Sequence, residues 1–293
     1  MSRSIRIGSR KSALAVVQAR IVMDRIQAAY PELELELVPM STTGDRILDR
    51  TLEQAGGKGL FVKELDQALR DGRIDLAVHS LKDVPMELPG DLPILACSAR
   101  ADARDVLILP RGGADLNRGL PFGCSSARRR LQLNRLFPGM DVKPVRGNVL
   151  TRLKKLDSGG FAALVLAYAG VSRLGLSGRI SRAFSAEEMI PAAGQGILAV
   201  QGRAGADFPF LSCVEDKDAR RAAQAERAFV RALGGGCTAP TAAYAKVEGG
   251  TLVLTGVYFG RAGEICRRGA LSGPAERAGQ IGKELAERLR EKT

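Results

Sequence analysis

The feature that most limits what this chain can fold into is a repeated join, in which a short strand runs through glycine and serine straight into a helix whose first turn is cationic. Residues 5–9 alternate as a strand does, and Gly8-Ser9-Arg10-Lys11-Ser12 then opens an amphipathic helix reaching about Ala29. Pro121-Phe122-Gly123-Cys124-Ser125-Ser126 stands in the same way before a helix carrying Arg128, Arg129 and Arg130. A strand over 141–145 leads through Arg146-Gly147-Asn148 to a helix with Arg152, and a strand over 162–167 leads to a short helix with Arg173. Strands alternating with helices predict parallel sheets covered by helices, with ligands at the carboxyl ends of the strands, where these corners lie. Arginines at a helix N-terminus oppose a dipole worth about 0.3–1 kcal/mol to an anion. They are expected at open, unburied corners, sharing a bound carboxylate with the backbone amides.

Charge points the same way. The 293 residues carry 44 Lys and Arg against 32 Asp and Glu, a net +12, so the partner is expected to be anionic. Nucleic acid and a small polyanion both satisfy that. Aromatic residues make up 4% with no tryptophan, leaving few stacking platforms, and no helix-turn-helix, zinc-finger or RRM pattern occurs. The five cysteines, at 97, 124, 213, 237 and 266, form no CxxC pair, so reduced thiols and no metal are expected. His79 is the single histidine, and any hydrolase triad would need it. The longest apolar run, 161–171, falls short of the ~18 residues of a membrane span. Gln18 and Arg20 break the N-terminal apolar stretch, so a cytoplasmic protein is expected.

Along the chain, 33–38 reads as a second strand, and 41–60 as a loop whose Gly56-Gly57-Lys58-Gly59 lacks Walker spacing and suits a lid. A helix over 61–70 and a strand over 74–79 lead to Ser80-Leu81-Lys82-Asp83-Val84-Pro85, where Asp83 either shapes a turn or offers a fixed anion beside a lysine. After a strand over 92–98, residues 97–104 read as a polar crossing to a second domain. Residues 190–196 (IPAAGQG) read as a hinge, and 197–201 as a strand that could return to the first sheet. A helix over 216–233, apolar at Ala222, Ala225, Phe229 and Leu233, ends at LGGGCTAP. Glycine costs about 1 kcal/mol per residue in a helix, so Cys237 falls on a tight loop, either filling a gap after a helix cap or presenting its thiol. Strands over 242–247, 251–258 and 264–270 and a helix over 274–292 close the chain. The expected domains are 1–98 with 195–214, 102–190, and 216–293.

The stretches IGSRKSALAVVQA, GDRILD, GGKGLFVKEL, AVHSLKDVP, SSARRR, VRGNVLTRL, LAYAGVSRLGL, PAAGQG and GGGCTAP, in that order, resemble the porphobilinogen deaminases over nearly the whole chain. The resemblance implies an α/β fold of two similar lobes, like periplasmic binding proteins, around a cleft, with a small C-terminal α+β domain. It implies a monomeric transferase that builds hydroxymethylbilane from four porphobilinogen units, with loss of ammonia, on a dipyrromethane cofactor joined to Cys237 by a thioether. Asp83 would be the catalytic acid. Lys58, Lys82, Ser126, Arg128 and Arg129 would bind the cofactor, and Arg10, Arg146, Arg152 and Arg173 the substrate, with no metal. Porphobilinogen carries acetate and propionate groups, and arginine's planar fork suits both. Three positions depart from the family pattern: Cys124 for a common threonine, Gln54 for a common lysine, and Gly234 for a larger, often acidic residue, which would loosen the cysteine loop. A two-lobed anion-binding protein without chemistry would need neither Cys237 nor Asp83, and a nucleic-acid binder would show steep salt dependence.

Overall fold

A computed structural model of the protein describes residues 4–43, 62–235, 240–260 and 266–291. Gln54, Lys58 and Cys237, with the GGKG stretch and all of GDRILD, lie outside the described residues. Ile5–Arg10 (β1) passes through Ser12, whose hydroxyl accepts from the Ala15 amide, into Ala13–Ala29 (α1). Leu35–Met40 (β2) then runs parallel to β1, as the βαβ reading requires. Lys63–Arg70 (α2), Leu76–Ser80 (β3) and Ile94–Cys97 (β4) follow. The chain next forms Asp105–Ile108 (β5), Phe122–Gly123 (β6), Ala127–Leu136 (α3), Val142–Lys143 (β7) and Val149–Lys155 (α4). Ala163–Ala167 (β8), Tyr168–Arg173 (α5) and Arg182–Ala183 (β9) complete that unit, and Leu198–Gly202 (β10) returns to the first.

The two sheets have one topology. Their orders are β2-β1-β3-β10-β4 and β7-β6-β8-β5-β9. Each has an antiparallel strand in fourth place, β10 against β3 and β5 against β8, and each of these strands directly follows a crossing between the lobes. The glycines of the two matching corners do the same thing: a Cβ on Gly8 would lie 2.4 Å from Ile74, and one on Gly123 would lie 2.5 Å from Leu164. Both let a side chain close over the strand just before the corner.

β6 and β7 are two residues long, shorter than the strand expected over 141–145. The Ser125 hydroxyl donates to the Val145 carbonyl (2.7 Å) and accepts from its amide (3.0 Å), so a side chain replaces the ladder there.

The third unit is Lys217–Ala232 (α6), Thr241–Glu248 (β11), Thr251–Phe259 (β12), Cys266–Pro274 (β13) and Ala278–Glu291 (α7), with the strands in antiparallel order β11-β12-β13. Phe229 of α6 is fully buried with Leu254, Ile281 and Leu285. α6 is capped by the Asp216 carboxylate and ends where its glycines begin, with the Gly234 amide on the Arg231 carbonyl and the Gly235 amide on that of Val230. Gly234 has φ +69°, a conformation glycine adopts with little strain, and so suits this helix end.

Glu226 joins the third unit to both crossings. Its fully buried carboxylate accepts from Arg100 Nη2 (2.7 Å) on the first crossing, the Gly194 amide (2.7 Å) on the second, and the Ala245 amide (2.8 Å) of β11. Burial pushes its carboxyl above the usual range, against the pull of Arg100.

Candidate active site

β3 ends at Ser80 and tightens into a single 3₁₀ turn, Leu81–Asp83. The turn is held from several sides. The Leu81 amide donates to the Ile197 carbonyl (3.0 Å), Gln18 of α1 bonds the Ser80 hydroxyl (2.8 Å), and Arg227 of α6 donates to the carbonyls of Val84 (3.1 Å) and Pro85. Gly194, at φ +75°, lets the second crossing lie against Leu81, where a Cβ would come within 2.9 Å of Leu81 Cγ. Leu81 is buried, Lys82 half-buried and Asp83 exposed, so the carboxylate stands on a fixed, solvent-facing turn.

The cations opposite are placed differently from the sequence-based expectation. Arg128 and Arg129 are not open-corner residues; they are only 5% and 7% exposed. The reason is Asp105, at the first residue of β5 and fully buried. Arg129 donates to its Oδ1 through Nε (3.1 Å) and Nη2 (2.7 Å), and Arg128 Nη1 donates to its Oδ2 (2.7 Å). Arg128 Nη1 also reaches the Ile190 carbonyl (2.7 Å), and Arg129 Nη1 that of Val165 (3.0 Å). The protein's own Asp105 thus answers one of the two charges at this corner and leaves the arginine pair net positive. Burial pushes the Asp105 carboxyl up, but the two guanidinium groups outweigh it and hold it well below the usual carboxylate range.

Ser126 caps α3, its hydroxyl accepting from the Arg129 amide (3.4 Å). Arg152 donates from Nε to the Gly147 carbonyl (2.8 Å), and Arg173 from Nη2 to the Gly196 carbonyl on the second crossing (2.7 Å). Arg10, at the end of β1, and Arg146 are half-buried. Cys124 is buried, its thiol toward the Ser126 carbonyl (3.7 Å).

These groups share one electrostatic neighbourhood. The charge of Asp83 favours the protonated forms of His79 and Lys82 on its own lobe and of Arg129 and Arg152 on the other. Burial, reinforced by Arg129 and Arg128, pushes the Lys82 ammonium down to about 8 against the pull of Asp83 and Asp105. Burial likewise lowers Arg152, with Arg129 and Arg146 adding to it. Two carboxylates, Asp83 and Asp105, therefore share this neighbourhood with Lys82, Arg128, Arg129, Arg146 and Arg152, a surplus of cations that are buried or half-buried. A rigid excess of this kind fits a ligand with several carboxylates. His79 is no triad base: it is buried, its Nε2 lies 3.0 Å from Gln201 Oε1, and burial takes it down to about 4, so it is neutral at physiological pH.

Two family models cover the chain. Residues 5–208 match "Porphobilinogen deaminase, dipyromethane cofactor binding domain" and residues 221–291 match "Porphobilinogen deaminase, C-terminal domain". The chain belongs to the porphobilinogen deaminase family. Curated porphobilinogen deaminases from Acetivibrio thermocellus (54% identity over 89% of each chain), Ruminiclostridium josui (50% over 98% of each) and Chromobacterium violaceum (48% over 97% of this chain and 93% of that one) are similar along almost their whole length. Among solved structures, the BenM effector binding domain with benzoate shows a loose likeness (TM-score 0.43, 15% identity, 73% of this chain and 89% of that one), on which nothing here rests. The described corner residues, with Asp83 and Asp105, all fall inside the porphobilinogen deaminase model named for its cofactor. The surplus of cations suits dipyrromethane, whose pyrrole rings carry carboxylate arms.

Sequence reasoning passed over Asp105, Gln195, Glu226 and Arg227. In the sequence Asp105 is only the polar start of the short apolar stretch Val106-Leu107-Ile108, and Gln195 one letter of a hinge. Glu226 had a signal: it interrupts the apolar face Ala222-Ala225-Phe229 of α6, and a carboxylate on a buried face needs partners.

Proposed function

We propose that Asp83 is the catalytic anion of an enzyme that joins four porphobilinogen units head to tail on a covalent dipyrromethane primer, releasing one ammonia per unit, and frees the product from the primer as hydroxymethylbilane by adding one water. The observation that carries this reading is the exposed carboxylate of Asp83 on a braced turn, coupled electrostatically to cations of both lobes. When bound, dipyrromethane supplies the free pyrrole α-carbon onto which the first unit is joined.

Each addition breaks a carbon–nitrogen bond, forms a carbon–carbon bond and removes one proton from the attacked α-carbon. Positive charge develops on pyrrole nitrogen along the way, and a fixed carboxylate stabilises it most where water is scarce. Asp83, held on its braced turn, supplies the fixed charge and can also carry the proton between carbon and the departing amine. Lys82, Ser126, Arg128 and Arg129, with Lys58, hold the primer's carboxylates. Arg10, Arg146, Arg152 and Arg173 hold those of the incoming unit. Cys237, after the glycine-terminated end of α6, is the anchor. The domain limits 1–98 with 195–214, 102–190 and 216–293, and a cytoplasmic location, belong to the same reading.

The test is Asp83→Asn, which keeps size and one acceptor oxygen but removes the charge. Turnover should fall by about 10²–10³ while porphobilinogen-bearing forms still appear in intact-mass spectra. Turnover within a few fold of wild type would place the anion elsewhere.

A further inference from the structure

Gln195 lies in the second crossing, fully buried, and its amide stands between opposite charges. Its Oε1 accepts from Lys82 Nζ (3.3 Å) beside the catalytic turn. Its Nε2 donates to Asp105 Oδ1 (2.9 Å) and to the Ala103 carbonyl (2.7 Å) at the start of β5. Reversing the amide would set NH₂ against ammonium and oxygen against carboxylate, so the flanking charges fix its orientation. Asp105 in turn holds Arg128 and Arg129. One continuous chain of polar contacts, Lys82 to Gln195 to Asp105 to the arginine pair, therefore runs from the catalytic turn of one lobe to the cationic wall of the other, through both crossings.

We infer that Gln195 is a positioning residue: its amide sets the place and charge state of Lys82 relative to the Asp105-held arginines, so that cations from both lobes present one register to the carboxylates they bind. This rests on the role proposed above for Lys82, Arg128 and Arg129. A carbonyl oxygen on the ammonium favours its charged form, and among the described residues Asp83, Asp105, Arg128 and Arg129 also act on Lys82. Burial alone would leave the ammonium less readily charged in this cationic setting. Gln195 thus places a neutral dipole between Lys82 and the Asp105-held arginine pair.

The experiment measures the pH dependence of Lys82 acetylation by acetic anhydride in the purified holoenzyme, read by peptide mass spectrometry, beside steady-state kinetics. Gln195→Leu removes the acceptor and should lower the Lys82 midpoint by about half a pH unit or more. Gln195→Glu keeps the shape but adds a negative charge, and should raise it. Opposite shifts are the signature, because a purely structural loss would move both variants the same way or neither. Both variants should lose turnover by about tenfold, with a smaller change in KM. Gln195→Glu is nearly isosteric, so it should fold even where Gln195→Leu does not, and an unmoved or lowered Lys82 midpoint in that variant alone overturns the inference. Lys82→Gln, assayed in parallel, separates the two ideas. If it handles porphobilinogen as wild type does, the assigned role of Lys82 is wrong, whereas the acetylation shifts test the Gln195 contact whatever that result.

Discussion

Replacing Asp105 by asparagine tests whether the cationic wall is self-supporting. Asp105 is completely buried and is shared by two guanidinium groups that are themselves 5% and 7% exposed. Asparagine keeps the shape but leaves two buried cations facing a neutral amide. Removing one partner of a buried ion pair costs about 3–5 kcal/mol. At about 2–4 °C of melting temperature per kcal/mol for a chain this large, the midpoint at pH 7 should fall by roughly 6–20 °C. Differential scanning calorimetry of wild type and Asp105→Asn across pH is the assay. The sign follows from the depressed folded-state carboxyl: its contribution is complete above the unfolded value of about 3.9 and fades as pH falls below that. The gap in melting temperature should therefore be widest near neutrality and narrow below about pH 3.9. A midpoint within 2 °C (about the size of a surface substitution) at pH 7, or a gap that stays constant into acid, would refute the ion-pair reasoning.

Cys237→Ser should lack the mass of two pyrrole rings that the purified wild type carries beyond its sequence; an unmodified mass for active wild type would remove the cofactor anchor. In that primer-free variant Lys82 should titrate near 8, and loading the primer in wild type should raise its midpoint, since carboxylates favour the ammonium; equal midpoints by acetylation would detach Lys82 from the primer. Glu226→Ala should lower thermal stability by about 3–5 kcal/mol, because it strands Arg100 and two backbone amides; an unchanged calorimetric midpoint would show that the crossings hold without it.

Much of this was legible in the sequence because local rules decide it. Alternation in 5–9, the caps at Ser12, Ser126 and Asn148, and the helix-stopping glycines after Leu233 depend on residues a few positions apart. The return of β10 to the first sheet followed from a strand pattern after a Pro/Gly-rich segment. The burial of Arg128 and Arg129 was not legible. It depends on a carboxylate more than twenty residues earlier, and nothing local in Asp105-Val106-Leu107-Ile108 distinguishes an ion-pair partner from the polar first residue of a strand. Gln195 was hidden for the same reason, because the partners of its amide come from two distant segments. The sequence marked which residues are cationic; only the folded chain tells which of those charges are already answered from within.

Glu226 and Arg227 are neighbours on α6, and they grip different things: Glu226 both crossings, Arg227 the two carbonyls just after Asp83. A two-stranded hinge alone would let the lobes swing while everything else stayed still. Here one turn of helix is tied to the joint and to the Asp83 turn together, and the same helix runs on to the glycines that precede Cys237. The joint between the lobes, the Asp83 turn and the helix end before Cys237 therefore share a single support.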